Sequence, residues 1–226
     1  MQTKKVRRKR FNFLKFLIFI LFLYIIISIF LYVLEVPIKN IIILNNYYLK
    51  DSEIIKTSKI ENYPSFLKTT SYSIKKKLKK NILIKDVKVK KKFGYKLILE
   101  IEEKKILYMS RNDNLFVLDT KEEIDISNVN GVPVLINFVP DKVKDKLIKK
   151  MSLLTIESIS KISELEYSPT AYDSERFIIY MNDGNMVYNT LNKLDKMNKY
   201  DEIVSKLEGH TGILYLDSGN YFEIKD

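Results

Sequence analysis

The longest apolar stretch of the chain runs from Phe16 to Leu34, and its nineteen residues carry no charged side chain. The stretch also lacks the polar stripe at helical period that a helix packed in a soluble core would show. A helix of this length extends about 28 Å, close to the ~30 Å hydrocarbon core of a bilayer. The pattern therefore predicts a single transmembrane helix at residues 16–34.

A cleaved signal peptide is the main alternative for an apolar segment so close to the first residue. Such a peptide has an apolar region of ~7 to 15 residues and small residues at its cleavage site. Here the exit reads Tyr-Val-Leu-Glu-Val-Pro over residues 32–37, so we expect an uncleaved signal anchor. Residues 1–15 carry seven basic side chains and no acidic one. The positive-inside rule then predicts a cytoplasmic basic tail, a type II orientation and an exported chain from residue 35 onward.

Alternating apolar and polar positions predict the clearest strand pair of the chain. Residues 84–90 read Ile-Lys-Asp-Val-Lys-Val-Lys, and residues 97–102 alternate in the same way after a turn at 93–95. A period of two places one face of each strand in a core and leaves lysines and glutamates on the other face. An earlier run rich in β-branched residues, 38–44, predicts one more strand.

Two short helices are predicted between the first strand and this pair. The first is capped by Asp51 or Ser52 and ends near Ile60. The second covers about residues 70–80, with lysines on its solvated side. Its helical period predicts three inward positions, Tyr72, Ile74 and Leu78. The order strand, helix, helix, strand, strand over residues 35–105 predicts a compact α+β module.

Beyond residue 105, short strand patterns alternate with polar turns. We predict strands at 106–109, 115–118, 132–138, 162–167, 176–181, 186–189 and 213–216. Turn residues at 112–114 and 182–185 predict hairpins. One amphipathic helix is expected from a cap at Asp141 to about Ile159, and another from Leu191 to Leu207. Residues 106–226 are therefore predicted to form a mixed β-sheet domain with two packed helices.

Charge divides the exported part of the chain in two. Residues 75–96 carry eleven lysines and one aspartate, whereas residues 97–226 carry 16 basic and 23 acidic side chains. This division argues for two modules and against a uniformly nucleic-acid-binding surface. Cysteine is absent, so the exported part folds without disulfides, which suits the outer face of a bacterium.

Few side chains offer the convergent groups that catalysis needs. His210 is the only histidine and the chain has six glycines, which excludes His-paired nucleophiles, multi-histidine metal sites and a glycine-rich phosphate loop. A hydrolase of wall glycans stays open through paired carboxylates, whose candidates are Glu102, Glu103, Glu122, Glu123 and Asp125. We predict a non-enzymatic binding protein without catalytic residues, metal, cofactor, nucleic acid or small-molecule substrate.

The ordered set of motifs resembles the FtsQ/DivIB family of bacterial cell-division proteins over nearly the full length. Residues 84–89 and 97–103 of the first module, followed by Ile-Leu-Tyr at 106–108, look like the corresponding parts of a POTRA domain of that family. In the distal module the resemblance is carried by Val-Pro-Val-Leu-Ile-Asn-Phe at 132–138, Ile-Ser-Glu-Leu at 162–165, Tyr-Met-Asn-Asp-Gly-Asn-Met-Val at 180–187, Lys-Met at 196–197 and Gly-Ile-Leu-Tyr-Leu-Asp at 212–217.

This resemblance implies a single-span scaffold of the divisome in the cell membrane at the division septum. It implies binding of DivIC/FtsB-type and FtsL-type bitopic division proteins by β-strand addition, and a link to septal peptidoglycan synthesis. Because the sequence ends at Asp226, we expect its last strand to offer an unpaired edge. The candidate residues of this edge are Ile213, Leu214, Tyr215, Leu216, Tyr221 and Phe222. A POTRA-bearing secretion or envelope-assembly component is the alternative.

A basic face of the first module is the second candidate surface. Its residues are Lys75, Lys76, Lys79, Lys80, Lys88, Lys90 and Lys92. Anionic headgroups or wall polymers are the predicted ligands, since a lysine near an anionic membrane gains roughly 1 kcal/mol. The alternative is that these lysines form the solvated faces of one helix and one strand.

Overall fold

A computed structural model of the chain describes residues 12–126, 129–207 and 209–225. The chain divides into two compact units, with the boundary between Glu103 and Lys104. Both units combine helices and strands, and the predicted α+β class is confirmed. Of the basic tail predicted for residues 1–15, all but the last four residues lie outside the described part.

The first helix, α1, extends over Phe13–Glu35 and so contains the whole predicted transmembrane segment. The Asn12 side chain caps it, because Asn12 Oδ1 accepts a hydrogen bond from Lys15 N at 3.3 Å. None of its residues is buried against the protein. Its 23 residues extend about 34 Å, which is enough to cross a ~30 Å hydrocarbon core. An exposed helix that is apolar on all sides is the form expected of a membrane span.

The first unit continues with strand β1 (Asn40–Leu44), helices α2 (Asp51–Ser58) and α3 (Ser71–Leu78), and strands β2 (Ile84–Lys92) and β3 (Lys96–Glu103). The predicted order of these elements is confirmed. The sheet order is β1-β3-β2, with β1 parallel and β2 antiparallel to the central strand β3. Both β1 and β2 are therefore edge strands.

Two details predicted for the helices of this unit are wrong. Tyr72 is 75% exposed, because it precedes the buried Ile74 by two residues and so lies about 200° around the helix from it. Lys50, without a side-chain hydrogen bond, stands at the N-cap of α2. Asp51 is instead the first helical residue, and its carboxylate accepts from Asn46 Nδ2 at 2.9 Å, near the positive end of the helix dipole.

The second unit is built on a nine-stranded sheet, counted over the described residues, with the order β12-β11-β10-β9-β8-β7-β4-β5-β6. Its strands are β4 (Ile106–Ser110), β5 (Phe116–Leu118), β6 (Glu123–Ile124), β7 (Val134–Leu135), β8 (Ile162–Tyr167), β9 (Arg176–Met181), β10 (Met186–Thr190), β11 (Gly212–Tyr215) and β12 (Tyr221–Ile224). The seven predicted strands are present, and β6 and β12 are additional.

The strand predicted at 132–138 is much shorter than expected. Only Val134 and Leu135 belong to β7. Pro133 has no N–H to donate, and the Asn137 side chain takes over the next pairing with β8. Its Nδ2 donates to Tyr167 O and its Oδ1 accepts from Tyr167 N, both at 2.8 Å. A side chain thus replaces a rung of the backbone ladder.

The helices of the second unit are α4 (Asp141–Met151), α5 (Ile156–Ser160), a 3₁₀-helix (Leu191–Lys199) and α6 (Tyr200–Val204). The single helix predicted from Asp141 to Ile159 is therefore wrong. Thr155 Oγ1 accepts from Ser158 N at 3.1 Å and starts α5 as a separate helix. Pro140, not Asp141, stands at the N-cap of α4.

The core of the second unit lies between these helices and one face of the sheet. In β9, Phe177 and Ile179 are buried whereas the intervening Ile178 is half-buried. Leu147 of α4 and Leu194 of the 3₁₀-helix belong to the same buried cluster. The core side of the sheet is thus set by the alternation of each strand.

Asn189 of β10 is an unsatisfied polar residue in this core. It is fully buried, and neither its amide oxygen nor its amide nitrogen has a hydrogen-bond partner in the described part of the chain. Because such a group costs about 1 to 3 kcal/mol, we expect Asn189→Leu, which keeps the branched shape, to raise the free energy of unfolding by about 1 to 2 kcal/mol. Thermal unfolding followed by circular dichroism measures the change.

The matched control is the buried Asn185, whose amide is satisfied. Its Oδ1 accepts from Gly212 N at 2.8 Å and its Nδ2 donates to the Tyr200 hydroxyl at 2.9 Å. We expect Asn185→Leu to lower the melting temperature, because it leaves these partners unpaired. A lower melting temperature for Asn189→Leu would contradict the interpretation of its side chain as unsatisfied.

Candidate functional site

The predicted binding residues lie on the last two strands, of which only one is an edge. Strand β11 pairs in parallel with β10 and antiparallel with β12, so both of its sides are occupied. The prediction that residues 213–216 form the open edge is therefore wrong. Leu214 and Leu216 are buried in the core, because the turn after β11 returns the chain and places β12 outside it. The open edge of this end of the sheet lies along Tyr221–Ile224.

The hydrogen-bond pattern shows which backbone groups of β12 face outward. Lys225 N, just after β12, donates to the O atom of Thr211, the residue before β11, at 2.9 Å. Pairing directions alternate along an antiparallel ladder, so Tyr221 and Glu223 bond to β11 while the N–H and C=O groups of Phe222 and Ile224 point outward. This edge therefore presents an unpaired row of donors and acceptors.

Three tyrosines from neighbouring strands form a ladder on the outer face of the sheet. Tyr188, Tyr215 and Tyr221 are direct cross-strand partners. The Tyr188 and Tyr215 rings meet edge to face with centroids 5.1 Å apart, and the Tyr215 and Tyr221 rings stack at 4.5 Å. Aromatic cross-strand pairs stabilise a sheet beyond their buried area. This tyrosine ladder ends at the edge with Tyr221, which is 53% exposed.

Two members of the tyrosine ladder, the central Tyr215 and the terminal Tyr188, make contacts with charged side chains. The Tyr215 hydroxyl donates to Glu223 Oε2 at 2.9 Å. This hydrogen bond is the main cause that raises the pKa of Tyr215 to about 12. The Arg176 guanidinium lies 4.4 Å from the centre of the Tyr188 ring, a cation–π contact. Tyr215 therefore stays a neutral donor at physiological pH.

A largely buried ion pair, with side chains 17% and 14% exposed, joins the turn after β11 to strand β9. Arg176 Nε donates to Asp217 Oδ2 at 2.8 Å, and Lys193 Nζ donates to Asp217 O at 2.9 Å. Burial raises the pKa of Asp217, but hydrogen bonds from Arg176 and Ser218 outweigh it, so the pKa lies below its usual range. Sequence reasoning did not identify this pair, since its members are 41 residues apart.

A buried hydrogen-bond network fixes the start of β11. Gly212 N bonds to Asn185, which bonds in turn to the hydroxyl of Tyr200. That hydroxyl donates to Asp183 Oδ2 at 2.8 Å. Burial and the neighbouring Asp183 carboxylate raise the pKa of Tyr200. The Asp-Gly hairpin at 182–185 thus positions the strand to which the edge strand pairs.

The lysines predicted to form one basic face belong to two elements of the first unit, α3 with its end and β2. Lys75 and Lys79 of α3 each lie 2.8 Å from Asp86 Oδ1. Hydrogen bonds from Lys75 and then Lys79 hold the pKa of Asp86 far below its usual range. Lys76 and Lys80 are also on the helix side and are exposed.

Strand β2 carries the remaining members of this set. Lys88, Lys90 and Lys92 are exposed and alternate with the inward-facing Val87 and Val89, so they point away from these two residues. Lys90 pairs with Glu100. The predicted basic face is thus drawn from two elements, α3 with its end and β2, and that they act as one surface stays a prediction.

Four of the five candidate carboxylates of a hydrolase have a structural partner. Glu102 pairs with Lys85 at 2.7 Å and Glu123 with Lys144 at 2.6 Å. Both oxygens of Glu103 accept backbone hydrogen bonds from residues 47–49. Hydrogen bonds from Lys104 and Thr120 lower the pKa of Glu122, which is opposite to what a general acid requires.

No metal-binding cluster occurs in the described ranges, where no three His, Asp or Glu side chains are grouped to hold an ion. His210 is exposed. Asp125 lies among the described residues just after β6 and is exposed. The arrangement that remains chemically distinctive is the β12 edge with its tyrosine ladder, which is suited to binding a strand.

Comparison with known proteins identifies the family of the chain. Residues 36–104 match the family described as POTRA domain, FtsQ-type. The cell division protein DivIB of Bacillus cytotoxicus is 32% identical over 197 residues, which cover 84% of this chain and 77% of that protein. DivIB of Bacillus subtilis is 29% identical over 232 residues, which cover 98% of this chain and 88% of that protein.

A solved structure also matches, that of the major extracytoplasmic domain of the trans isomer of DivIB from Geobacillus stearothermophilus. It is 23% identical, with a TM-score of 0.39, and the match covers 47% of this chain and 96% of that chain. The identities to full-length relatives carry the assignment, since they extend over most of both sequences. The chain belongs to the FtsQ/DivIB family of bacterial cell-division proteins.

Proposed function

We propose that the chain is a non-enzymatic, single-span scaffold of the divisome that binds partner proteins along the open edge of β12. The partners are bitopic division proteins of the DivIC/FtsB and FtsL types, each contributing a strand, and through them the chain is linked to septal peptidoglycan synthesis. The basic residues before α1 place the N-terminus in the cytoplasm, and residues 35–105 and 106–226 lie outside the membrane at the septum.

The observation that carries this proposal is the contrast between β12 and the β2 and β6 edges; the β1 edge, which also lacks lysine, is tested by a variant below. The β2 edge is nine residues long but contains five lysines, and lysines on an edge discourage pairing with another chain. The β6 edge has only two residues. Strand β12 reads Tyr-Phe-Glu-Ile and contains no lysine, and the backbone groups of Phe222 and Ile224 point to its free side.

The side chains of β12 offer specificity in addition to backbone hydrogen bonds. Tyr221 and Glu223 lie on the outer face with the tyrosine ladder, whereas Phe222 packs against the core and Ile224 is 51% exposed beside it. An added strand would extend both faces and meet alternate side chains on each. Backbone bonds thus supply affinity and the two faces supply selection, as in β-strand addition generally.

Ile224→Pro is expected to abolish capture of the DivIC-type and FtsL-type partners. Its N–H points outward, so proline removes a donor from the free edge and places its ring there, without breaking a bond to β11. We expect at least a tenfold loss of affinity, about 1.4 kcal/mol. Pull-down by the full-length chain from detergent-solubilised membranes measures it. The matched control is Ile224→Val, which keeps the N–H and should bind as the unmodified chain does.

A second pair of variants compares the β12 edge with the apolar β1 edge of the first unit. Tyr221→Asp places a charge at the exposed end of the tyrosine ladder and should also prevent binding. Ile42→Asp changes a residue of the β1 edge that is 41% exposed and should leave binding intact. Normal capture by folded Ile224→Pro and Tyr221→Asp, or loss confined to Ile42→Asp, would refute the assignment to β12.

A further inference from the structure

The end of α1 is fastened directly to the first unit. Ser65 Oγ donates to Leu34 O, one of the last carbonyls of the helix, at 2.6 Å. Glu35 pairs with Lys68 at 2.5 Å, and Phe66 N donates to Val36 O at 2.9 Å. Residues 64–68 therefore lie where the helix ends. If α1 spans the bilayer, this segment stands at the headgroup level.

The turn between β2 and β3 lies at the same end of the unit. Lys39 N, four residues after the helix, donates to Tyr95 O at 2.9 Å. The rings of Phe66 and Tyr95 meet edge to face with centroids 5.6 Å apart. Lys91 bridges the two segments, because its Nζ donates to Phe66 O and lies 4.8 Å from the Phe66 ring. The tip of the hairpin thus reaches the exit of α1.

The hairpin tip exposes an aromatic ring and a pair of like charges to solvent. Phe93 is fully exposed, at 102% of its reference area. Lys92 and Lys96 are directly opposite each other across the hairpin, and both are exposed. Like charges in that position repel. An anionic, partly apolar surface would relieve both, since aromatic rings insert at the headgroup boundary and lysines gain roughly 1 kcal/mol each beside anionic lipid.

We propose that Lys92, Phe93 and Lys96 form a membrane-seating tip that docks on anionic lipid headgroups of the bilayer spanned by α1. The helix holds the tip beside the surface, so that weak contacts suffice. This inference depends on α1 as the membrane span and not on partner binding at β12. The occupant is the bilayer surface, because the chain itself carries the tip there.

The distance along β2 shows which lysines belong to this surface. Asp86, which holds Lys75 and Lys79, is six residues from Lys92, or about 20 Å along a strand. That exceeds two Debye lengths of ~8 Å at physiological salt. The lysines of α3 around Asp86 therefore contribute little at the membrane, and the candidate basic surface contracts to the hairpin tip.

The chain contains no tryptophan, so Phe93→Trp gives a single fluorescent reporter at the proposed contact. We expect the full-length variant in phosphatidylglycerol-containing nanodiscs to emit at shorter wavelength and to be quenched by headgroup-proximal spin-labelled lipid. Tyr172→Trp is the matched control, because Tyr172 is equally exposed, at 102%, in the second unit. We expect its emission to be that of tryptophan in water, without quenching.

Charge variants in the Phe93→Trp background then test the role of the lysines. Lys92→Glu with Lys96→Glu should reduce quenching by about twofold or more, given roughly 1 kcal/mol per lysine, and nanodiscs of phosphatidylcholine alone should do the same. Lys76→Glu with Lys80→Glu, exposed residues of the α3 end, should have no effect. Quenching equal to that of Tyr172→Trp would overturn the proposal, as would quenching that ignores both lipid charge and the Lys92 and Lys96 substitutions.

Discussion

Gly212→Ala is expected to detach β12 from the sheet and to abolish partner capture. A Cβ atom at this position would lie 2.0 Å from Glu223 O and 2.9 Å from Glu223 C. These are backbone atoms of the neighbouring strand, and Gly212 is paired directly with Ile224. The strand cannot withdraw without losing its hydrogen bonds to β11. Overpacking costs about 1 to 3 kcal/mol, and we expect the upper end because no side chain can rotate away.

Hydrogen exchange of the full-length protein measures this effect at single strands. The backbone amides of Tyr221, Glu223 and Lys225, which point toward β11, should lose protection from exchange in Gly212→Ala. The amides of β9 should keep theirs, because the core of the second unit is otherwise unchanged. Gly219→Ala is the control. Its Cβ would approach only the Tyr221 ring, at 2.8 Å, and that exposed ring can rotate. Full protection of β12 in Gly212→Ala would show that the close approach to Glu223 does not restrict this position.

Local pattern was sufficient to predict the first unit and α1. In the first unit, residues 87–90 and 97–102 alternate on either side of a short turn, so the pairing of the two strands and their buried face follow from sequence alone, whereas the register shift between Ile84 and Asp86 was not predicted. In a bilayer a single segment must pair its own backbone N–H and C=O groups, so the uncharged run at 16–34 is expected to be a helix. The errors there were the predicted inward position of Tyr72, which is exposed, and the start of α2, where Lys50 stands in place of a capping side chain.

The open edge strand of the second unit could not be predicted from the local sequence pattern. Strand β11 joins β10 in parallel, through a crossover that contains the 3₁₀-helix and α6, and such pairing leaves no local signal. The short run of residues 221–224 was assigned to the same edge as 213–216, although it forms the strand that covers it. Tyr221 and Phe222 were named because the family resemblance implies strand addition near the C-terminus, and both lie in the edge strand β12.

The lysine run extends over two structural elements. Lys79 follows α3 and Lys88 lies in β2, where alternation directs Lys88, Lys90 and Lys92 away from Val87 and Val89. Charge density along a sequence does not show which of these lysines share a surface.

Arg176→Met is expected to lower the free energy of unfolding by about 3 kcal/mol, the lower end of the range for breaking a buried ion pair. The side chains of Arg176 and Asp217 are only 17% and 14% exposed, so the Asp217 carboxylate would be left without its main partner. The loss should appear in chemical denaturation of the full-length protein. The exposed pair of Lys161 and Asp201, with Asp201 70% exposed, is the control, and Asp201→Asn should change stability by about 0.5 kcal/mol or less.

The pH dependence of this effect has a defined sign. The folded-state pKa of Asp217 is lowered, so its ionised form stabilises the fold fully above the unfolded value of about 3.9. That contribution is lost as pH falls through the folded pKa. The stability difference between the unmodified chain and Asp217→Asn should therefore be constant near neutral pH and shrink below about pH 4.

Replacing both Arg176 and Asp217 shows whether stability depends on the charge of the ion pair or on the packing of the Arg176 side chain. If the lost stability of Arg176→Met comes from an uncompensated carboxylate, Arg176→Met with Asp217→Leu should recover most of it, because two apolar groups of similar volume carry no buried charge. The cation–π contact of Arg176 with Tyr188 would still be lost, so partner capture at β12 should weaken in the double variant even as unfolding returns toward normal. A double variant as unstable as Arg176→Met alone would show that packing of the Arg176 stem, and not its charge, holds β9 to the turn after β11.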